Sequence, residues 1–295
     1  MKITILTTTL AICMLFKAYA NPAEENENKY SAQQTILLKD AKQKSSWPNY
    51  PDAPYRLSWK TDLITTAVGM GLFFYANSLD NSRTPLTSEQ ANRFTHKDVN
   101  WFDRSATYKY NPQLREVSDQ LGAFALVAPL TLLADKGVRR DIATIGTMFI
   151  QTRLFAYGTA NISKRSITRY RPYIYNPKVS YEDKIAKDPG QSFFAQQTTA
   201  VFSTAVFVAT VFSDYHPYSK FKPWVWAGSL AAASAISVVR YETGIHYTSD
   251  ILVGALVGSA IGYGIPKIHR NKHKNLSLNP IIQGNTYALS AIWKL

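Results

Sequence analysis

The sequence predicts an all-α fold, a helical bundle with six core helices, and three observations carry this expectation. Six apolar segments rich in Ala, Leu and other small or aliphatic residues follow one another between residues 57 and 265. Each is longer than an ordinary strand, and Gly and Pro fall mostly at the segment ends. The chain has 295 residues, 46% hydrophobic and 18% charged, a composition that buries a sizeable core and excludes disorder throughout.

The first twenty residues read as a secretory signal: Lys2 is its positive end, Ile3 to Phe16 its apolar stretch, and Ala18-Tyr19-Ala20 its cleavage site. The mature chain is expected to begin near Asn21. Cys13, the only cysteine, lies inside that signal behind the bulky Ile12, so neither a lipid anchor nor a disulfide is expected. Residues 21–54 are polar, with prolines at 48, 51 and 54, and read as a flexible arm.

The six helices are expected over Leu57–Ser78, Ser118–Ala134, Asp141–Ile162, Gln197–Phe212, Trp224–Arg240 and Tyr247–Ile265. Between charges, several of them fall short of the about 20 residues that a bilayer core requires. With a mean hydropathy of −0.17, a soluble bundle is preferred over an integral membrane form. The stretch Leu79–Glu116 is long for a plain connection and reads as a cap or short-helix excursion. After the sixth helix, residues 267–274 form a basic run, read first as a solvated helix end and second as a contact for anionic lipid. In the 271–295 tail, Tyr287, Leu289, Ala291, Trp293 and Leu295 alternate on one side, and Gly284-Asn285 turns the chain, so a small β-hairpin is expected there.

Net charge is +13, or +11 once Lys2 and Lys17 leave with the signal. Such a surplus suits nucleic acid, an anionic membrane surface or an anionic substrate, and export disfavours nucleic acid.

Two clusters carry chemistry. Lys164, six residues, then Arg171-Pro172 stands where Pro172 forces the chain out of the third helix. An ammonium and a guanidinium fork placed there are ready donors to phosphate oxygens. By itself this is a weak signal, since most basic helix ends are merely solvated. The second cluster is Arg240, five residues, His246, three residues, Asp250, with Gly244 allowing the turn between the fifth and sixth helices. On one helix face, Asp250 can accept a hydrogen bond from one imidazole nitrogen of His246, leaving the other as a nucleophile.

Together these spacings resemble the signature of the phosphatidic acid phosphatase type 2 and vanadium haloperoxidase superfamily. The family pattern is Lys, six residues, Arg-Pro; then Pro-Ser-Gly-His; then Ser-Arg, five residues, His, three residues, Asp. The first and third parts match at Lys164, Arg171, Pro172, Arg240, His246 and Asp250, apart from Val239 where the family usually has Ser. The resemblance implies that Lys164, Arg171 and Arg240 hold phosphate oxygens, that His246 forms a phosphohistidine, and that Asp250 orients it. It implies no cofactor and no metal, with vanadate acting as a phosphate mimic or inhibitor.

The middle motif departs from the family. Ser192-Phe193 and Thr198-Thr199 fix the alignment, and between them stands Phe194-Ala195-Gln196-Gln197 in place of Pro-Ser-Gly-His. Ala195 has no hydroxyl, Gln196 adds a side chain, and Gln197 donates hydrogen bonds but cannot give up a proton. The expectation is a phosphatase-like hydrolase with a degenerate general-acid position, acting on a phosphate-bearing small molecule or lipid in the periplasm, in solution or at a membrane face. The alternative is an inactive pseudophosphatase that binds a phosphate-bearing ligand.

Overall fold

A computed structural model of the chain describes residues 53–79, 86–185 and 189–271, together with the backbone of Leu276–Gln283 and Thr286–Trp293. The expected signal at 1–20, the arm up to residue 52, the end of the basic run and the turn at Gly284-Asn285 lie outside these residues.

Six long helices form: α1 (Trp59–Ser78), α2 (Pro112–Ala125), α3 (Ile142–Ser166), α4 (Gln196–Tyr215), α5 (Lys222–Glu242) and α6 (Thr248–His269). They lie in one compact unit, residues 46–270. The tail belongs to a second unit, in which Leu276–Gln283 pairs antiparallel with Thr286–Trp293, Gln283 opposite Thr286 and Leu276 opposite Trp293.

The second helix departs from its expected bounds of 118–134. It starts earlier because the Asn111 side chain accepts the Leu114 amide at 2.9 Å and Pro112 occupies the first turn, where no donor is missed. It ends at Ala125 because Pro129 has no N–H to give the Ala125 carbonyl; a 3₁₀ segment, Ala128–Ala134, carries the chain on. The excursion before it resolves into a short helix, Ser88–Arg93, and two 3₁₀ turns, His96–Asp98 and Arg104–Tyr108.

Helix α4 runs through the middle, against α3, α5 and α6. Its buried residues Phe207, Val208 and Val211 join Met148, Ile145, Leu132 and Ile265 in the main core. The α4–α6 approach is close because Gly254, Gly258 and Gly262 face α4. A methyl group on Gly258 would stand 2.5 Å from the Thr199 carbonyl oxygen. At the other end of the bundle, His269 of α6 meets Asp62 of α1 at 2.9 Å, and the Tyr55 hydroxyl donates to Asp214 at 2.7 Å.

By length and composition, Pro112–Ala134 and Thr248–His269 are apolar enough to cross a membrane, although Pro129 breaks the first. Large apolar side chains stay exposed, among them Trp59, Leu63 and Ile64 on α1 and Leu252 and Leu256 on α6. That surface departs from the polar coat expected of a freely soluble bundle.

Candidate active site

The site forms where α3 ends and where α4 and α6 begin. Residues 169–171 run beside 189–192: the Arg171 amide donates to the Pro189 carbonyl at 2.8 Å and the Ser192 amide to the Arg169 carbonyl at 3.0 Å. The Ala195 amide donates to the Asp250 carbonyl at 3.1 Å, which brings the start of α4 against the start of α6. Between α5 and α6 the chain turns at Gly244, the one described residue in the left-handed region with φ of +73°. A side chain there would also collide with the Lys109 carbonyl, so glycine is required twice over.

His246 is completely buried. Its Nδ1 lies 2.8 Å from the Ser192 carbonyl and 3.6 Å from Asp250 Oδ2. The hydrogen bond expected to Asp250 therefore goes to the backbone of Ser192. A carbonyl only accepts, so Nδ1 carries the proton and Nε2 holds the lone pair in the neutral ring. Nε2 is buried and has no hydrogen-bond partner among the described residues. Burial lowers the His246 pKa well below the ordinary value, and the charges of Lys164, Arg171 and Arg240 lower it further. The three predicted cations thus converge on this imidazole. Arg171 is buried, and Arg240 Nη1 donates to Asp119 Oδ1 of α2 at 2.6 Å.

Asp250 is fully buried, yet it serves as a junction. Its Oδ2 accepts from Ser192 Oγ at 2.5 Å and from the Tyr247 amide at 2.9 Å, and its Oδ1 pairs with Arg169. Burial pushes its pKa up to about 6, although Arg169, the Ser192 hydroxyl and the Tyr247 amide all act to lower it.

Sequence reasoning passed over Arg169 and Asp103. Arg169 bridges Asp250 to Asp103, whose Oδ2 it meets at 2.7 Å, and lies on the Tyr247 ring at 4.2 Å. Asp103 also accepts from the Ser249 amide at 2.9 Å and the Ser249 hydroxyl at 2.7 Å. Burial works to raise the Asp103 pKa, but Ser249, Asn100 and Arg169 together hold it below the usual value. Arg169 is visible in sequence only as a basic residue two positions before Arg171. Its partner is 66 residues away, and no spacing rule connects them.

Gln197 occupies the first turn of α4, and its amide donates to the Ser118 carbonyl of α2. It therefore ties two helices together. Of the other histidines, His96 bonds Thr107 at 2.6 Å and stacks on Tyr108, and His216 pairs with Asp135 at 3.2 Å beyond the far end of α4.

No curated protein matches the chain. Among solved structures, LpxE of Aquifex aeolicus aligns at 19% identity and a TM-score of 0.38, covering 56% of this chain and 92% of that one. A transmembrane PAP2-type phosphatidylglycerolphosphate phosphatase of Bacillus subtilis aligns at 17% identity and a TM-score of 0.36, covering 71% and 95% respectively. Residues 142–274, which span α3 to α6 and with them all five predicted site residues, match the sequence pattern of the PAP2 superfamily.

Proposed function

We propose that the protein is a phosphohydrolase that attacks phosphorus with His246 and acts on esters or anhydrides whose leaving group departs without a proton. One observation carries this reading. A neutral, correctly tautomerised imidazole keeps Nε2 unpartnered in a buried place where three cationic side chains converge. Lys164, Arg171 and Arg240 would hold the non-bridging oxygens and offset the charge that builds on them in the transition state. As Nε2 bonds to phosphorus the ring becomes cationic, and Asp250, 3.6 Å from Nδ1, stabilises that charge.

The weakness lies at the leaving group. Gln197 cannot supply a proton, and its amide is committed to Ser118. Absence of a general acid costs about a hundred- to ten-thousandfold where the leaving group is a strong base, and little where it is a weak one. Export through the segment 1–20 would place this activity in the periplasm, and the exposed apolar faces of α1 and α6 support membrane association there.

Purified protein is expected to cleave p-nitrophenyl phosphate with phosphate trapped on His246 in alkali-quenched samples, since a phosphohistidine is labile to acid, and to spare an alkyl phosphate. His246→Ala should abolish turnover. Binding of orthophosphate with no turnover of any of these substrates would overturn the enzymatic reading in favour of a phosphate-binding pseudophosphatase.

A further inference from the structure

Arg169 divides its fork between two carboxylates. Its Nη1 donates to Asp250 Oδ1 and, at 2.9 Å, to Ser249 Oγ, while its Nη2 donates to Asp103 Oδ2 at 2.7 Å. A guanidinium that meets a single carboxylate commonly engages both of its oxygens. Here the second oxygen of Asp250, Oδ2, is left to the Ser192 hydroxyl and the Tyr247 amide, and it is the oxygen that stands 3.6 Å from His246 Nδ1. Asp103, only 2% exposed, comes from the excursion before α2 and belongs to neither sequence cluster. Fastening the excursion to α6 does not call for a charge, because the Ser249 amide, the Ser249 hydroxyl and the Asn100 side-chain amide would bond a neutral acceptor as well. Yet Asp103 stays ionised, its pKa held below the usual value against the effect of burial. Two carboxylates against one guanidinium leave the cluster one charge negative beside a ring that is neutral before the reaction.

Resting on the phosphohydrolase reading above, we propose that Asp103 is a positioning residue for the attack by His246: it holds Arg169 Nη2 away from Asp250 Oδ2 and keeps the cluster one charge negative until the imidazolium forms. As Nε2 bonds to phosphorus, the bond from phosphorus to the leaving oxygen breaks, that oxygen departs with its electron pair, and the ring acquires one positive charge that the cluster offsets. Without Asp103, Arg169 would close on both oxygens of Asp250 as a pair with no net charge, and the imidazolium would form with no charge opposing it.

The same charge acts on Asp250 before the reaction. Burial raises the Asp250 pKa and Asp103 raises it further, while Arg169, the Ser192 hydroxyl and the Tyr247 amide lower it. Tyr247 and Tyr175, the phenols beside the cluster, stay neutral because burial raises both. Lys164, Arg171 and Arg240 complete the charged groups here through their action on His246.

The test is the pH profile of p-nitrophenyl phosphate hydrolysis by the full chain, with phosphohistidine counted in alkali-quenched samples. Asp103→Asn removes the charge at nearly constant shape, and Asp103→Ser removes it without setting an N–H against Arg169. Either should lower the plateau of kcat/KM at least about tenfold, as loss of a preorganised charge does. Either should also move the acid limb of kcat/KM to lower pH, because Asp250 loses a like-charged neighbour. The phosphorylated fraction in steady state should fall, since a less stabilised imidazolium forms more slowly and breaks down faster. Asp103→Glu, which keeps the charge, should return the acid limb toward its wild-type position. A loss of kcat/KM with the acid limb unmoved or moved to higher pH would reduce Asp103 to a fastening and leave the hydrolase reading intact, and neutral variants as active as the wild type would do the same. Wild-type protein that hydrolyses nothing would overturn the hydrolase reading and this role with it.

Discussion

Ser192 acts on the site through two different atoms. Its carbonyl fixes the His246 tautomer, and its hydroxyl donates to Asp250 at 2.5 Å. Replacing the side chain therefore spares the first function and removes the second. With the imidazole neutral far below its ordinary range, the group that must lose a proton for activity is Asp250, near pH 6. A hydrogen bond to the ionised carboxylate lowers its pKa, so Ser192→Ala should raise it and move the acid limb of kcat/KM to higher pH. The ionisation of the substrate stays where it was, which makes the displacement diagnostic. An acid limb that does not move would show that some other group sets it. Arg169 offers a companion measurement: Arg169→Met leaves a buried carboxylate without its cation, and kcat should fall at least tenfold with KM changed much less. Equal losses in both would point to general disorder of the site. The cations and His246 were legible because a motif spaces them along helix ends. Asp103 and Arg169 were not, because a buried bridge between distant residues leaves no period in the sequence.

Helices were readable wherever a long apolar segment met its own stop signals. All six were expected, and α1, α3, α4, α5 and α6 begin within two residues of their expected positions. The error at α2 has a local cause, since apolar character continues past Ala125 while Pro129 removes the hydrogen bond that would have continued the helix. Closeness between helices was harder to read. The glycines at 254, 258 and 262 repeat every four residues, but only the structure shows that they meet α4 backbone. This packing positions chemistry, because α4 and α6 both begin at the site. Gly258→Ala should cost about 1–3 kcal/mol in denaturant unfolding, as overpacking of a tight contact does, and should raise KM by parting the two helix starts. A variant as stable as the wild type would show that the two helices are less constrained than they look. Gly244→Ala meets both a left-handed backbone and the Lys109 carbonyl, so its loss should be larger than that at Gly258.

Across the whole molecule the charge is +13, and the fold draws part of that surplus to a single point. Lys164 comes from the end of α3, Arg171 from the loop after it and Arg240 from the end of α5, and all three act on one buried imidazole. Of the nearby carboxylates, Asp119 pairs with Arg240, and Asp250 is engaged by Arg169, Ser192 and Tyr247. An oxyanion that binds these cations only in the folded chain should stabilise the fold. At a hundred times its dissociation constant, orthophosphate or orthovanadate would add about 2.7 kcal/mol, which for a unit of this size corresponds to a rise of about 5–10 °C in Tm. The rise should grow with the logarithm of anion concentration and should vanish in Arg171→Ala and Arg240→Ala. Chloride at equal ionic strength screens the charges without bridging them and should give much less. If chloride matched phosphate, or if the variants kept the shift, the stabilisation would come from general screening of a basic protein, and the cations would not form a cage.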